Sequence, residues 1–187
     1  MRVESLEKEM VNLSIKTDWN KIFEEIKYNF SAEITTGSGG WPRFSGKHKN
    51  RELTIFPSSG ELTFHISLKA DFELGLTNEN IFTIMLKGFQ QDIQVGTEDF
   101  DSRYLIKGGP EEKVIDFLSY DRVRGAIRCF EPIKSFHLCH SYLEIKRTME
   151  RNEIFTIDKM DFLLERFLFL SDGIENPETI EEDDDED

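Results

Sequence analysis

Cysteine is scarce in this sequence, which has only Cys129 and Cys139 in 187 residues. Two thiols are too few for a disulfide framework, and reduced cysteines in a cytoplasmic protein are the expectation. Long apolar runs are missing as well. No stretch approaches the ~20 residues of a membrane span, so no membrane role is expected. Residues 1–10 contain Glu4, Glu7 and Glu9 where a secretory signal would be apolar, so no secretory signal is expected. Positive charge is in short supply: 23 Lys and Arg stand against 37 Asp and Glu, a formal net charge of −14. Residues 181–187 are all acidic and carry seven of those charges, yet the rest of the chain is still acidic. A surface of that sign repels a polyphosphate backbone, and no basic cluster stands out, which sets nucleic-acid binding aside.

Apolar residues make up 38% of the chain, with 16 Phe, and 187 residues is the size of one domain. A chain of ~150 residues buries roughly two-thirds of its unfolded surface, so a core is within reach. Val3, Leu6, Met10 and Leu13 recur at helical spacing. Thr17 or Asp18 then offers a cap for a second helical face made by Trp19, Ile22, Phe23, Ile26 and Phe30. Residues 35–40, rich in glycine and followed by Trp41-Pro42, read as a loop.

From about Asn50 the period becomes two. Leu62, Phe64, Ile66 and Leu68 alternate with Glu61, Thr63, His65 and Ser67, the mark of a strand with one wet face. Residues 51–56 read as its hairpin partner across a turn at 57–60, and residues 81–86, 91–95 and 100–107 as further strands. Strands in succession without helices between them predict an antiparallel meander. Gly108-Gly109-Pro110 ends that run and opens a helix with Val114, Ile115 and Leu118 inward. A second short helix carries Val123, Ala126, Ile127 and Phe130, and 136–139 and 142–147 read as two strands or one bent strand. A last helix is capped by Thr156 or Asp158, reaches about Leu170 and stops at Asp172-Gly173. The domain is therefore placed at 1–173, with a helical N-terminal segment over 1–30. The polar, acidic residues 174–187 read as a disordered tail.

Candidate chemistry is thin. His137, Cys139 and His140 are the best metal candidates, but on a strand His137 and Cys139 share one face while His140 points to the other. His48 and His65 stand alone, so no metal site and no cofactor are predicted. Gly37-Ser38-Gly39-Gly40 lacks the Gly-Lys-Ser/Thr ending of a phosphate loop. Asp99 and Asp101 flank Phe100 and would share a strand face, an arrangement open to acid/base chemistry or to a solvated edge. Cys129 follows Arg122, Arg124 and Arg128, cations able to lower its pKa, but with no histidine partner at a recognisable spacing an ordinary buried thiol is the expectation. Phe162, Leu163, Leu164, Phe167, Leu168, Phe169 and Leu170 surround the last helix, so that helix is either the central packing element or partly a partner surface.

Residues 93–106 contain Gly96, a short acidic turn, Phe100-Asp101 and an apolar strand, followed by the helix at 110–118. This pattern resembles an uncharacterised bacterial domain family. Residues 44–51, with Gly46, Lys47, His48, Lys49 and Arg51, are similar to that family's entry into its first strand. The resemblance spans about 44–170, implies a bacterial protein, and implies no activity. The chain departs from it by lacking the hydrophobic N-terminal segments that some members carry.

The reading is an α+β domain, a curved antiparallel sheet of about five to seven strands covered by helices. The leading function is a noncatalytic protein-interaction or binding module, with a protein partner or self-association. One alternative is a binder of a small apolar ligand in a Phe-rich pocket. Another is an enzyme using Asp99, Asp101, His137 or Cys139, although no catalytic motif is present.

Overall fold

A computed structural model describes residues 17–78 and 92–181. In helix α1 (Trp19–Ile26), Asp18 accepts a hydrogen bond from the Lys21 amide at 3.1 Å, satisfying an otherwise orphaned donor. Trp19, Ile22, Phe23 and Ile26 form one buried stripe. Phe23 lies 5.8 Å from Phe44, and Trp19 lies 5.0 Å from Phe155, between ring centres. The amphipathic pattern at 3–13 falls outside the described residues.

Eight described strands form one sheet: β1 (Glu33–Thr36), β2 (Pro42–His48), β3 (Arg51–Ser58), β4 (Glu61–Ser67), β5 (Glu73–Asn78), β6 (Tyr104–Gly109), β7 (Ile133–Cys139) and β8 (Tyr142–Thr148). Their spatial order is β1-β2-β3-β4-β8-β7-β5-β6, with every neighbouring pair antiparallel. The described helices after α1 are α2 (Glu98–Asp101), α3 (Glu111–Ser119), α4 (Asp121–Arg128), α5 (Ile157–Glu175) and α6 (Glu178–Glu181). The α+β class therefore holds, with eight strands where the alternation predicts five to seven.

The sheet departs from a simple meander. After β4 the chain leaves, and β4 takes β8 as its neighbour, so the β7–β8 hairpin lies between β4 and β5. The sheet also begins at Glu33, well before Asn50, because β1 and β2 form a hairpin around the glycine-rich turn. Thr35 and Thr36, read as loop, belong to β1. The β2–β3 turn is made by Lys49 and Asn50, at φ 47° and 66°, the pair of left-handed residues that a two-residue hairpin demands. Residues 73–78, which carry no strong strand signal, are paired on both sides. The predicted strand 100–107 divides into the helical turn α2 and then β6. Residues 92–95 run beside β6, with one backbone bond from the Ile93 amide to Ile106 at 3.0 Å. The predicted strand at 81–86 lies outside the described residues.

Helix α5 is the centre of the helical layer. Thr156 caps it by accepting from the Lys159 amide at 3.2 Å. Its Met160, Leu163, Leu164, Phe167, Leu170 and Ile174 are buried, and Phe167 meets Phe64 of β4 at 5.5 Å. The helix does not stop at Gly173 but continues to Glu175. Gly173 is a glycine for packing: a Cβ there would lie 2.7 Å from the Ile180 side chain. Ile174 and Ile180 are 5% and 1% exposed. The chain past Gly173 is thus folded onto the body as far as α6, not disordered from residue 174. Residues 182–187 lie outside the described part.

Candidate functional site

Strand alternation decides which side chains leave the core. Leu62, Phe64 and Ile66 of β4, Leu143 and Ile145 of β8, and Phe136 and Leu138 of β7 are buried under the helices. Their neighbours His65, Tyr142, Glu144, His137 and Cys139 therefore point to the other face, where they are exposed or half-buried. Register then sets them side by side. His65, Glu144 and His137 share one row across β4, β8 and β7, and Ser67, Tyr142 and Cys139 form the next.

Tyr142 is the hub. His65 stacks on its ring at 5.0 Å and 27°, and His137 meets it edge-on at 5.5 Å and 80°. The Tyr142 hydroxyl lies 3.4 Å from His137 Nδ1. Glu144 is paired with Lys146 at 2.9 Å. Burial holds the His65 imidazole below its ordinary value, against the opposing pull of the Glu144 carboxylate. Burial also pushes the Cys139 thiol up, but hydrogen bonding with Ser141 and Tyr142 outweighs it and leaves the thiol below its usual range. The Tyr142 phenol is raised, chiefly by burial and then by the neighbouring Cys139 charge. The Cys139 sulfur contacts the Ser141 hydroxyl at 3.5 Å and no imidazole, so a cysteine–histidine nucleophile is not assembled here.

Of the three metal candidates, His137 and Cys139 share one face of β7, and His140 lies past its end. His140 sits in the β7–β8 turn, with Nδ1 3.0 Å from the Ala70 carbonyl and Nε2 3.7 Å from Glu73. Among the described residues no group of three or more His, Cys, Asp or Glu is placed to hold a metal ion.

The carboxylate pair does not share a strand face, because α2 is helical. Asp101 is buried and accepts the amides of Val95, Gly96 and Thr97 at 2.9–3.0 Å, holding the loop that enters α2. Asp99 is exposed and pairs with Arg103 at 3.0 Å and Arg128 at 2.6 Å; the hydrogen bond from Arg103 keeps it below the usual carboxylate range. Cys129 is a half-buried thiol. Burial raises its thiol, and the neighbouring arginines are turned elsewhere: Arg124 to the Leu118 and Ser119 carbonyls and Asp121, Arg128 to Asp99, and Arg122 over the Phe169 ring.

Two concavities lie elsewhere among the described residues. An open polar cleft of about 610 Å³ is lined by Asn78, Ser102, Arg103, Glu131, Pro132 and Glu150. Its Glu131 is already engaged by the Tyr104 hydroxyl and by Arg103 at 3.7 Å. An apolar recess of about 150 Å³ lies between Phe72, Phe117, Tyr120, Ile174 and Ile180. That is below the ~300 Å³ where ligand pockets begin. The phenylalanines of the core fill their own space, as Phe64, Phe130 and Phe167 do within 6.4 Å of one another.

Sequence reasoning singled out His137 and Cys139 but not their neighbours His65 and Tyr142. Alternation places His65 on a wet face, yet only the β4–β8 pairing brings it to Tyr142. Among the described residues no helix is long and apolar enough to cross a membrane.

No family model matches the sequence, and no curated protein does. Among solved structures the fold is similar to the crystal structure of the mycobacterial trehalose monomycolate transport factor A, TtfA. The TM-score is 0.50 at 9% identity, over 82% of this chain and 90% of that one. The likeness is one of fold.

Proposed function

We propose that this chain is a noncatalytic binding module that meets a protein partner through the sheet face around Tyr142. The observation that carries the reading is the His65–Tyr142–His137 cluster, three rings in contact on a face whose side chains remain exposed or half-buried. Such rings join apolar area to hydrogen-bonding tips at little conformational cost, which is why tyrosine concentrates at interfaces. Two of the groups an enzyme would have used are engaged in local structure: Asp101 holds a loop and Asp99 holds two arginines; the other two, His137 and Cys139, stand on the proposed face itself. That a similar fold serves a protein named as a transport factor is in keeping with this reading, although fold alone assigns no function.

The test is site-specific photo-crosslinking in cells, with the photoreactive residue at position 142 and a control at position 28, where Tyr28 is 81% exposed. A discrete protein adduct at 142, absent at 28 and weakened by His65→Ala, is expected. Equal labelling at both positions, or none at 142, would remove the basis of the proposal.

A further inference from the structure

Helix α5 has a second face. Phe167 points into the sheet, while Phe162 lies on the far side and is 43% exposed. Phe169, seven residues on and so on the same stripe, is only partly covered. The side chains along this stripe differ in charge from one end to the other. Asp158, Asp161 and Glu165 gather around Phe162, at spacings of three and four, where like charges repel. Asp161 registers that repulsion: burial first, then the Glu165 and Asp158 charges, hold its carboxyl above the usual range. None of the three has an ion pair among the described residues. Two cations stack on the rings of the stripe: the Arg166 guanidinium on Phe162 at 5.1 Å and, at the other end, Arg122 of α4 on Phe169 at 5.4 Å.

We propose that this stripe is a homodimer interface, in which α5 of one copy crosses α5 of a second copy in antiparallel fashion. A twofold axis between Glu165 and Arg166 sets Phe162 of each copy against Phe169 of the other. The same operation brings the Arg122 end of each copy to the Asp158–Asp161 end of the other, so the stripe is complementary to itself, as an isologous contact must be. The occupant is a second copy because both signs of charge are present in the order that a reversed copy matches. An all-acidic stripe would call for a basic partner instead. Among the described residues the other exposed large apolar side chains, Tyr28, Trp41 and Ile154, lie outside this helix. The interface stands on the side of the helical layer away from the sheet. It therefore leaves both Tyr142 faces outward, and if those bind partners the dimer is bivalent.

The experiment is sedimentation velocity on the full chain across about 1–200 μM, the range a small interface requires. The mass should rise from 21.9 kDa toward twice that value with concentration. Phe162→Asp should move the midpoint at least tenfold higher while leaving the melting temperature nearly unchanged. Asp161→Arg and Arg122→Glu should each weaken association, and the two together should restore it. If Arg122→Glu disturbs folding, Phe162→Asp alone still decides. A monomer throughout the range overturns the proposal, as does a dimer indifferent to Phe162→Asp. A chain that stays monomeric but binds a lysine-rich amphipathic peptide through Phe162 would assign the stripe to a basic partner and overturn it equally. The outcome is independent of the crosslinking at position 142.

Discussion

Arg51 on β3 and Asp172 on α5, 121 residues apart in the chain, are joined by a direct guanidinium–carboxylate hydrogen bond. Arg51 also donates to the Ser171 carbonyl and to Glu175, each at 3.2 Å, and Lys49 donates to Asp172 at 2.9 Å. Lys69 adds its backbone amide to Glu175 at 2.9 Å. The β2–β3 turn and the end of β4 thus grip the last turn of α5, where helical carbonyls lack intrahelical partners.

Removing that grip should be costly. Arg51→Met leaves Asp172 and the Ser171 carbonyl without their buried donor, and a loss of ~2–4 kcal/mol in denaturant melts is expected, the lower part of the range reflecting partial exposure of the carboxylates. A change below ~0.5 kcal/mol would show that water replaces the guanidinium freely.

Acid should loosen the fold through two of its histidines. His48 lies 3.6 Å from Asp172, but burial, with Arg51 and Lys49 nearby, outweighs that attraction and holds its pKa below 6.5; burial does the same to His65. Between 6.5 and these lower folded values the unfolded chain takes up protons first, so stability falls as pH drops. The melting temperature should therefore decline from about pH 7.5 to about pH 5.5, and His48→Gln with His65→Gln should flatten the decline. A melting temperature that rises on acidification would contradict the sign.

Two phenylalanines five residues apart on α5 should respond unequally. Phe167→Ala opens a cavity against Phe64 and Phe130 and should cost ~3–5 kcal/mol. Phe162→Ala, on the exposed side, should cost under ~1 kcal/mol in the monomer. Equal losses in dilute urea melts would show that both sides of the helix are core.

Truncation should separate the last residues into two classes. Removing 182–187 should leave the melting temperature in place, since that stretch is wholly acidic and has no apolar side chain to bury. Removing 178–187 also takes away Ile180, 1% exposed, and should cost ~1.5–3 kcal/mol. Identical melts for the two truncations would mean that α6 contributes nothing.

Patterns that repeat within a few residues were legible without a structure. The Trp19–Ile26 stripe, the β3–β4 alternation, the α3 and α4 helices and the apolar girdle of α5 each follow from local periodicity, which burial of one face enforces. Signals carried by a single residue misled where packing overrode them. Gly173 reads as a helix stop, yet it serves the close approach of Ile180. Asp99 and Asp101 read as a strand pair, yet three backbone amides draw Asp101 into a helical turn.

The amino-acid sequence by itself determined the class, an acidic α+β chain with one wet sheet face, because composition and periodicity act through nearest neighbours along the chain. Tertiary structure alone decided that β4 pairs with β8, more than 70 residues away, and so that His65, Tyr142 and His137 meet. Alternation states which face a side chain occupies but not which strand lies beside it. That choice belongs to the register of the whole sheet and to the helices that bury its other side.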